Sequence, residues 1–251
     1  MPNGGSDCCG TCWFNSKNNG EQGYQGSEKE GVAICTIRNL EIPDPFWTYC
    51  ANHPHHNQNK IDLPLGPVYI NDGYPYSRKV WVNPPDNEEI RIKLLELLDK
   101  ISNQPEFKYP SETDLEEEII KQLTALKEKR AIDGLKRIIN LDIEDYRNQK
   151  NFIIRNKSII VGQAIESLLE ITNGEFIDEV EKFINYGIED NTTVNYDQEN
   201  DNFAAIRYHL VRGLKHCENP KAKELLMTAL KDPHNEVKAF ANEILNNKNE
   251  C

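Results

Sequence analysis

From residue 88 onward, apolar residues recur at helical spacing. Ile90, Leu94, Leu97, Leu98 and Ile101 fall at i, i+4, i+7, i+8 and i+11, which places them on one helix face. Leu115, Ile119, Ile120, Leu123 and Leu126 repeat the pattern, and Ala131, Leu135, Ile138 and Ile139 form a third stripe. Residues 159–171 are densely apolar, which predicts a helix buried on more than one side and ended by Asn173-Gly174. Phe176, Ile177, Val180, Phe183 and Ile184 predict the next helix, with Gly187 as a left-handed terminator. The polar run 189–202 reads as a long loop. Three more helices are expected at 203–217, 222–230 and 237–245.

Before residue 88 the pattern is different. Residues 31–37 read as a strand. Val68, Tyr69 and Ile70 can pair with residues 78–82 across an Asp72-Gly73 turn. Gly, Pro, Asn, Cys and aromatic residues dominate here, and Trp13, Trp47 and Trp81 are the only tryptophans in the chain. Asn83, Pro84, Pro85 and Asp86 mark the change, because the prolines stop a strand and Asp86 with Glu89 has capping-box spacing. Thr113 with Glu116 has the same spacing. Two domains are therefore expected, at 1–87 and 88–251.

Three helical segments resemble one another: 161–169 (VGQAIESLL), 206–214 (IRYHLVRGL) and 237–245 (VKAFANEIL). They start 45 and 31 residues apart, and the polar loop accounts for the larger interval. The stretch 226–245 (LMTALKDPHNEVKAFANEIL) resembles the helix, Asp-Pro turn, helix unit of HEAT repeats. Asp232-Pro233 breaks one helix and opens the next, while Val237, Ala241 and Leu245 form the packing stripe. The resemblance implies an α-solenoid, and solenoids of this kind usually present an extended surface to other proteins. Some HEAT-type proteins resemble lyases for bilin attachment, and others act on alkylated DNA.

Net charge changes the picture next. It is -12 over 251 residues. Residues 1–87 hold 6 basic and 9 acidic side chains and residues 88–251 hold 23 and 32, so neither part hides a basic domain. A nucleic-acid partner is not expected, since phosphate binding needs a basic face. No apolar run reaches 18 residues and the start lacks a signal-peptide pattern, so a cytoplasmic protein without a membrane span is expected.

The cysteines carry the sharpest chemistry. Five of seven lie within the first 50 residues: Cys8, Cys9, Cys12, Cys35 and Cys50. In a reducing compartment such a cluster reads as metal ligands before disulfides. Cys9 and Cys12 form a C-x-x-C knuckle, and Cys50 with His53 offers C-x-x-H. Two ligand sets follow: Cys9, Cys12, Cys35 and Cys50, or the same set with His53 in place of Cys35. Cys8 can replace Cys9 only at an unusual spacing. The order of these motifs is similar to short four-cysteine modules of uncharacterised bacterial proteins. Either set fills all four positions of a tetrahedral ion, which marks a structural zinc rather than a catalytic one. Iron suits a cysteine-only site as well.

Two further places hold candidate binding residues. Arg207, His209, Arg212, Lys215 and His216 form a cation-rich strip along one helix. Tyr74, Tyr76 and Arg78 lie in an aromatic and basic loop. His55 and His56 sit in a histidine-rich segment that reads as polar surface. No catalytic triad, phosphate loop or paired-carboxylate motif stands out. The expected fold is mainly α: HEAT-like helical repeats preceded by a small zinc-binding module of loops and short strands. The expected function is that of an adaptor or scaffold binding another protein. An enzyme, an accessory subunit or a bacterial defence component is the alternative.

Overall fold

The computed structural model describes residues 8–23, 31–55, 57, 60–71, 77–82, 84–103, 110–141, 151–188 and 201–249. Among these, the chain is mainly helical, with two small antiparallel sheets. β1 (Ala33–Cys35) pairs with β2 (Leu40–Ile42) in a tight hairpin. β3 (Tyr49–Cys50), β4 (Pro67–Asn71) and β5 (Ser77–Trp81) form the second sheet in that order. The β4–β5 pairing joins the two expected arms and places Val68 opposite Val80 and Ile70 opposite Arg78, while the expected Asp72-Gly73 turn lies outside the described residues. The expected strand at 31–37 is shorter, because a turn follows Cys35 and Asn39 adopts a left-handed φ of 48°.

The helices are α1 (Glu88–Ser102), α2 (Pro110–Ala125), α3 (Ile132–Ile139), α4 (Asn151–Thr172), α5 (Ile177–Val180), α6 (Ala204–Leu214), α7 (Pro220–Ala229) and α8 (Asn235–Asn249). Two expected caps are displaced. Asn87, rather than Asp86, accepts a hydrogen bond from Ile90 N at 3.0 Å and opens α1. Thr113 lies inside α2, which already starts at Pro110. Elsewhere the punctuation holds. Asn173 (φ 51°) and Gly174 (φ 83°) end α4, and Gly174 N donates to Leu169 O at 2.9 Å. Asp232 accepts from His234 N at 2.8 Å ahead of α8.

The contacts divide into two compact units: Met1–Ile90 with Ser111–Gln122, and Arg91–Pro110 with Leu123–Cys251. The expected cut at residue 87 lies beside the first division, and residues 111–122 join the N-terminal unit. In the second unit α4 packs chiefly against α6 and α3, and α6 packs in turn against α8 and α7. Ile160, Val161, Ile165, Leu168, Ile206, Leu210, Leu214, Val237 and Ala241 are buried in its core. Glycines allow the close α4–α6 approach. A Cβ at Gly162 would meet Ala205 O at 2.8 Å, and one at Gly213 would meet Glu166 Cα at 3.1 Å. Thus the three look-alike segments lie on α4, α6 and α8, which follow one another in contact.

Candidate metal centre

Cys9, Gly10 and Thr11 form one 3-10 turn with Cys12 at its end. This turn is pinned from two sides. Cys9 N donates to Thr48 O at 2.7 Å, and Gly10 N donates to Pro45 O at 2.8 Å. Buried asparagines take its carbonyls. Asn15 Nδ2 donates to Cys9 O at 2.9 Å, and Asn18 Nδ2 donates to Gly10 O at 3.0 Å and Cys12 O at 2.8 Å. Side-chain amides thereby satisfy backbone groups that a helix or sheet would otherwise pair. Cys35 closes β1 and is bridged to Asn15, while Cys50 closes β3 opposite Val68.

These elements bring Cys9, Cys12, Cys35 and Cys50 to the wall of one cavity, together with Phe14, Asn15, Ile42 and Asn52. All four cysteines are buried, and none of the described cysteines is in a disulfide. The cavity measures about 10 Å³, room for one atom-sized occupant and too little for an organic substrate. Among the described residues, no group of three or more Cys, His, Asp or Glu side chains is already disposed to hold a metal ion. The thiols share a cavity without yet forming a coordination site.

Burial and mutual repulsion oppose ionisation of these thiols. Burial pushes the Cys9 thiol well above its ordinary range, and Cys50, Cys12, Cys35 and Cys8 push it further. Burial, then Cys50, raise Cys12. Burial, then Cys50, raise Cys35 to about 11. The sulfurs oppose one another's ionisation, so all of them become thiolates only with a cation among them. Other groups are arranged to favour that charge. The backbone N–H of Phe14 favours the Cys12 thiolate. At Cys35 the nearby Arg38 charge and the backbone N–H groups of Arg38 and Ile37 act in the same direction. Donors aimed at sulfur favour the thiolate over the thiol.

His53 is buried but does not line the cavity. Its Nδ1 accepts from His55 N at 3.2 Å, which leaves the proton on Nε2. Nε2 then donates to Thr11 Oγ1 at 2.9 Å, and Thr11 Oγ1 donates to Cys8 O at 3.1 Å. Both ring nitrogens are therefore engaged in holding the knuckle. Cys8 is buried beside the cavity without lining it.

The cation-rich strip on α6 is not one exposed surface. Arg207 is fully buried, and its guanidinium meets Asp232 at 2.7 Å, Asp201 at 2.5 Å and Tyr186 O at 2.9 Å. Burial opposes its charge, but Asp232 and Asp201 outweigh that and hold the pKa above its already high range. His209 and Arg212 reach Glu166 of α4 at 2.6 and 3.2 Å, while His216, just past the end of α6, has its Nε2 3.2 Å from Glu170 without a hydrogen bond. Burial is the largest influence on His216 and lowers its pKa despite Glu170. The strip thus joins α6 to α4, and Lys215 alone among the five is exposed. In the aromatic loop, Arg78 is exposed on β5, while Tyr74 and Tyr76 lie outside the described residues, as does His56.

Sequence reasoning missed Asn15, Asn18, Asn52, Thr11 and Arg38, which build the cavity wall and its support. The signal was the density of asparagine beside each cysteine motif, together with an arginine three positions after Cys35. No family model, curated protein or solved structure matches the chain. Among the described residues, no helix is long and apolar enough to cross a membrane.

Proposed function

We propose that Cys9, Cys12, Cys35 and Cys50 bind one structural zinc ion, and that the helical unit is a HEAT-like array serving a cytoplasmic protein-interaction protein. The convergence of four buried cysteines on one atom-sized cavity carries this reading. The donor set fits a tetrahedral soft cation, zinc first and iron second. Engagement of both His53 nitrogens favours Cys35 as the fourth ligand. Four thiolates leave no open coordination position, so the ion's contribution is cross-linking rather than catalysis. Binding displaces the thiol protons, and the amide donors at Cys12 and Cys35 then meet charged sulfur.

Support for the array is the succession α4, α6, α8, which carries the three similar segments and ends in the Asp232-Pro233 unit. An adaptor role follows from this resemblance. It also agrees with an α6 strip that is consumed internally rather than arranged around a substrate.

The test is elemental analysis of purified full-length protein beside Cys35→Ser and His53→Ala. One zinc per chain, lost in Cys35→Ser and kept in His53→Ala, is the expected result. Metal kept in Cys35→Ser and lost in His53→Ala would move the fourth ligand to the histidine. Metal-free protein prepared without chelator would overturn the zinc reading.

A further inference from the structure

We propose that Arg38 is the counter-cation of the metal centre, a positioning residue whose charge tunes metal affinity without touching the metal. The inference rests on the tetrathiolate reading above. Arg38 is 5 % exposed. Its Nη1 donates to Gly66 O at 3.0 Å and Val82 O at 3.3 Å, and its Nη2 donates to Asn52 Oδ1 and Leu65 O, both at 2.7 Å. Every one of these acceptors is neutral. No carboxylate pairs with Arg38 among the described residues, and its Nε has no partner. A buried charge without a counter-charge is strongly disfavoured. Arg207 makes the contrast, since it is equally buried and is given two aspartates.

The loaded centre would supply such a counter-charge. Four thiolates around a divalent cation retain two negative charges. Two contacts place Arg38 beside the cavity. Its backbone N donates to Cys35 O at 3.3 Å, which ties it to the turn that carries one ligand. Asn52, which lines the cavity, accepts from its Nη2. The guanidinium and the loaded centre therefore stabilise each other, and each is under-compensated alone. Metal binding and the placement of residues 63–66 are coupled through two side chains, because Arg38 and Asn52 also hold the backbone of Leu63, Leu65 and Gly66.

The experiment uses the full chain, with zinc competed against a chromophoric chelator, for wild type, Arg38→Lys, Arg38→Met and Asn52→Asp. Arg38→Met is expected to weaken zinc binding by about tenfold or more, and Arg38→Lys, which keeps charge but loses the fork, by no more than about threefold. Asn52→Asp, which neutralises Arg38 in place, is expected to weaken binding in the direction of Arg38→Met even if that variant does not fold. A second readout uses iron-loaded protein. Its reduction potential should fall in Arg38→Met and stay near wild type in Arg38→Lys, because loss of a nearby positive charge favours the oxidised ion. Equal weakening in Lys and Met variants with no change in potential would reduce Arg38 to a backbone clamp and overturn the proposal. So would wild-type affinity in Asn52→Asp. A wild type that binds no metal defeats the tetrathiolate reading first. Metal-binding variants indistinguishable from a metal-binding wild type defeat the Arg38 role alone.

Discussion

The surroundings of the cysteines and the core of the helical unit are filled with different materials. The helical unit buries leucine, isoleucine and valine along periodic stripes, and each fully buried aliphatic side chain contributes about 1.5–3 kcal/mol. Around the cysteines, aliphatic side chains are fewer. Their cluster holds Cys9, Cys12, Phe14, Ala33, Cys35 and Ile42, and the surrounding structure is held by the amides of Asn15, Asn18, Asn52 and Asn57. A hydrogen bond contributes a net 0.5–1.5 kcal/mol or about that, less than a buried leucine. Hydrogen bonds specify this shape well but stabilise it weakly. A small interior of this kind needs a cross-link, and that is the place of the proposed metal.

The sharpest way to break the comparison is to withdraw the metal. Chelation of full-length protein is expected to abolish the tertiary near-ultraviolet signal of Trp13 and Trp47 while sparing most far-ultraviolet helicity. Any helical loss should be confined largely to 111–122, the part of α2 that belongs with the N-terminal unit. Cooperative collapse of all helicity on chelation would show that the two units do not differ as described.

A smaller effect is expected from the helical unit's own buried charge. Arg207→Met leaves Asp201 and Asp232 buried without their partner and should cost about 3–5 kcal/mol in denaturant unfolding. Zinc content should be unchanged, which keeps the two units' stabilising devices separate.

The smallest effect is a pH dependence. Hydrogen bonds from the Arg130 side chain, then its backbone N–H and Arg91, overcome burial and hold the Glu128 carboxyl down at about 2. A depressed carboxyl pKa contributes stability that is present above the ordinary carboxylate range and is lost as pH falls through the folded value. Glu128→Gln should therefore destabilise the protein by about 1–3 kcal/mol at neutral pH. The gap from wild type should narrow from about pH 4.5 down to about pH 2. A gap independent of pH would refute the assignment.

The helices were legible because burial on one face leaves a periodic trace. Leu94 and Leu98, Leu135 and Ile138, and Val237 and Ala241 are all buried where the stripes place them. The β4–β5 pairing was legible for the same reason, through alternation. The candidate metal centre was legible only in part. Cysteines advertise themselves by type, but their support does not. Asn52 acts through a side chain that binds Leu63 and Leu65, eleven and thirteen positions away, and no periodicity encodes such a contact. Arg207 failed for a related reason. A cation on a helix reads as surface until Asp201 and Asp232 arrive from other segments to bury it.

The amides and sulfur around the cysteines also set how that region responds to temperature. The heat-capacity change of unfolding rises with apolar area exposed and falls with polar area exposed. The wall of amides and sulfur around the cysteines exposes less apolar surface on opening than an aliphatic core of the same size, so its local opening carries a smaller heat-capacity change. The helical unit, rich in aliphatic carbon, follows a strongly curved profile and loses its driving force in the cold as well as in the heat. The cysteine surroundings and the helical core therefore differ in thermal character, and the order in which they open on warming need not match the order on cooling.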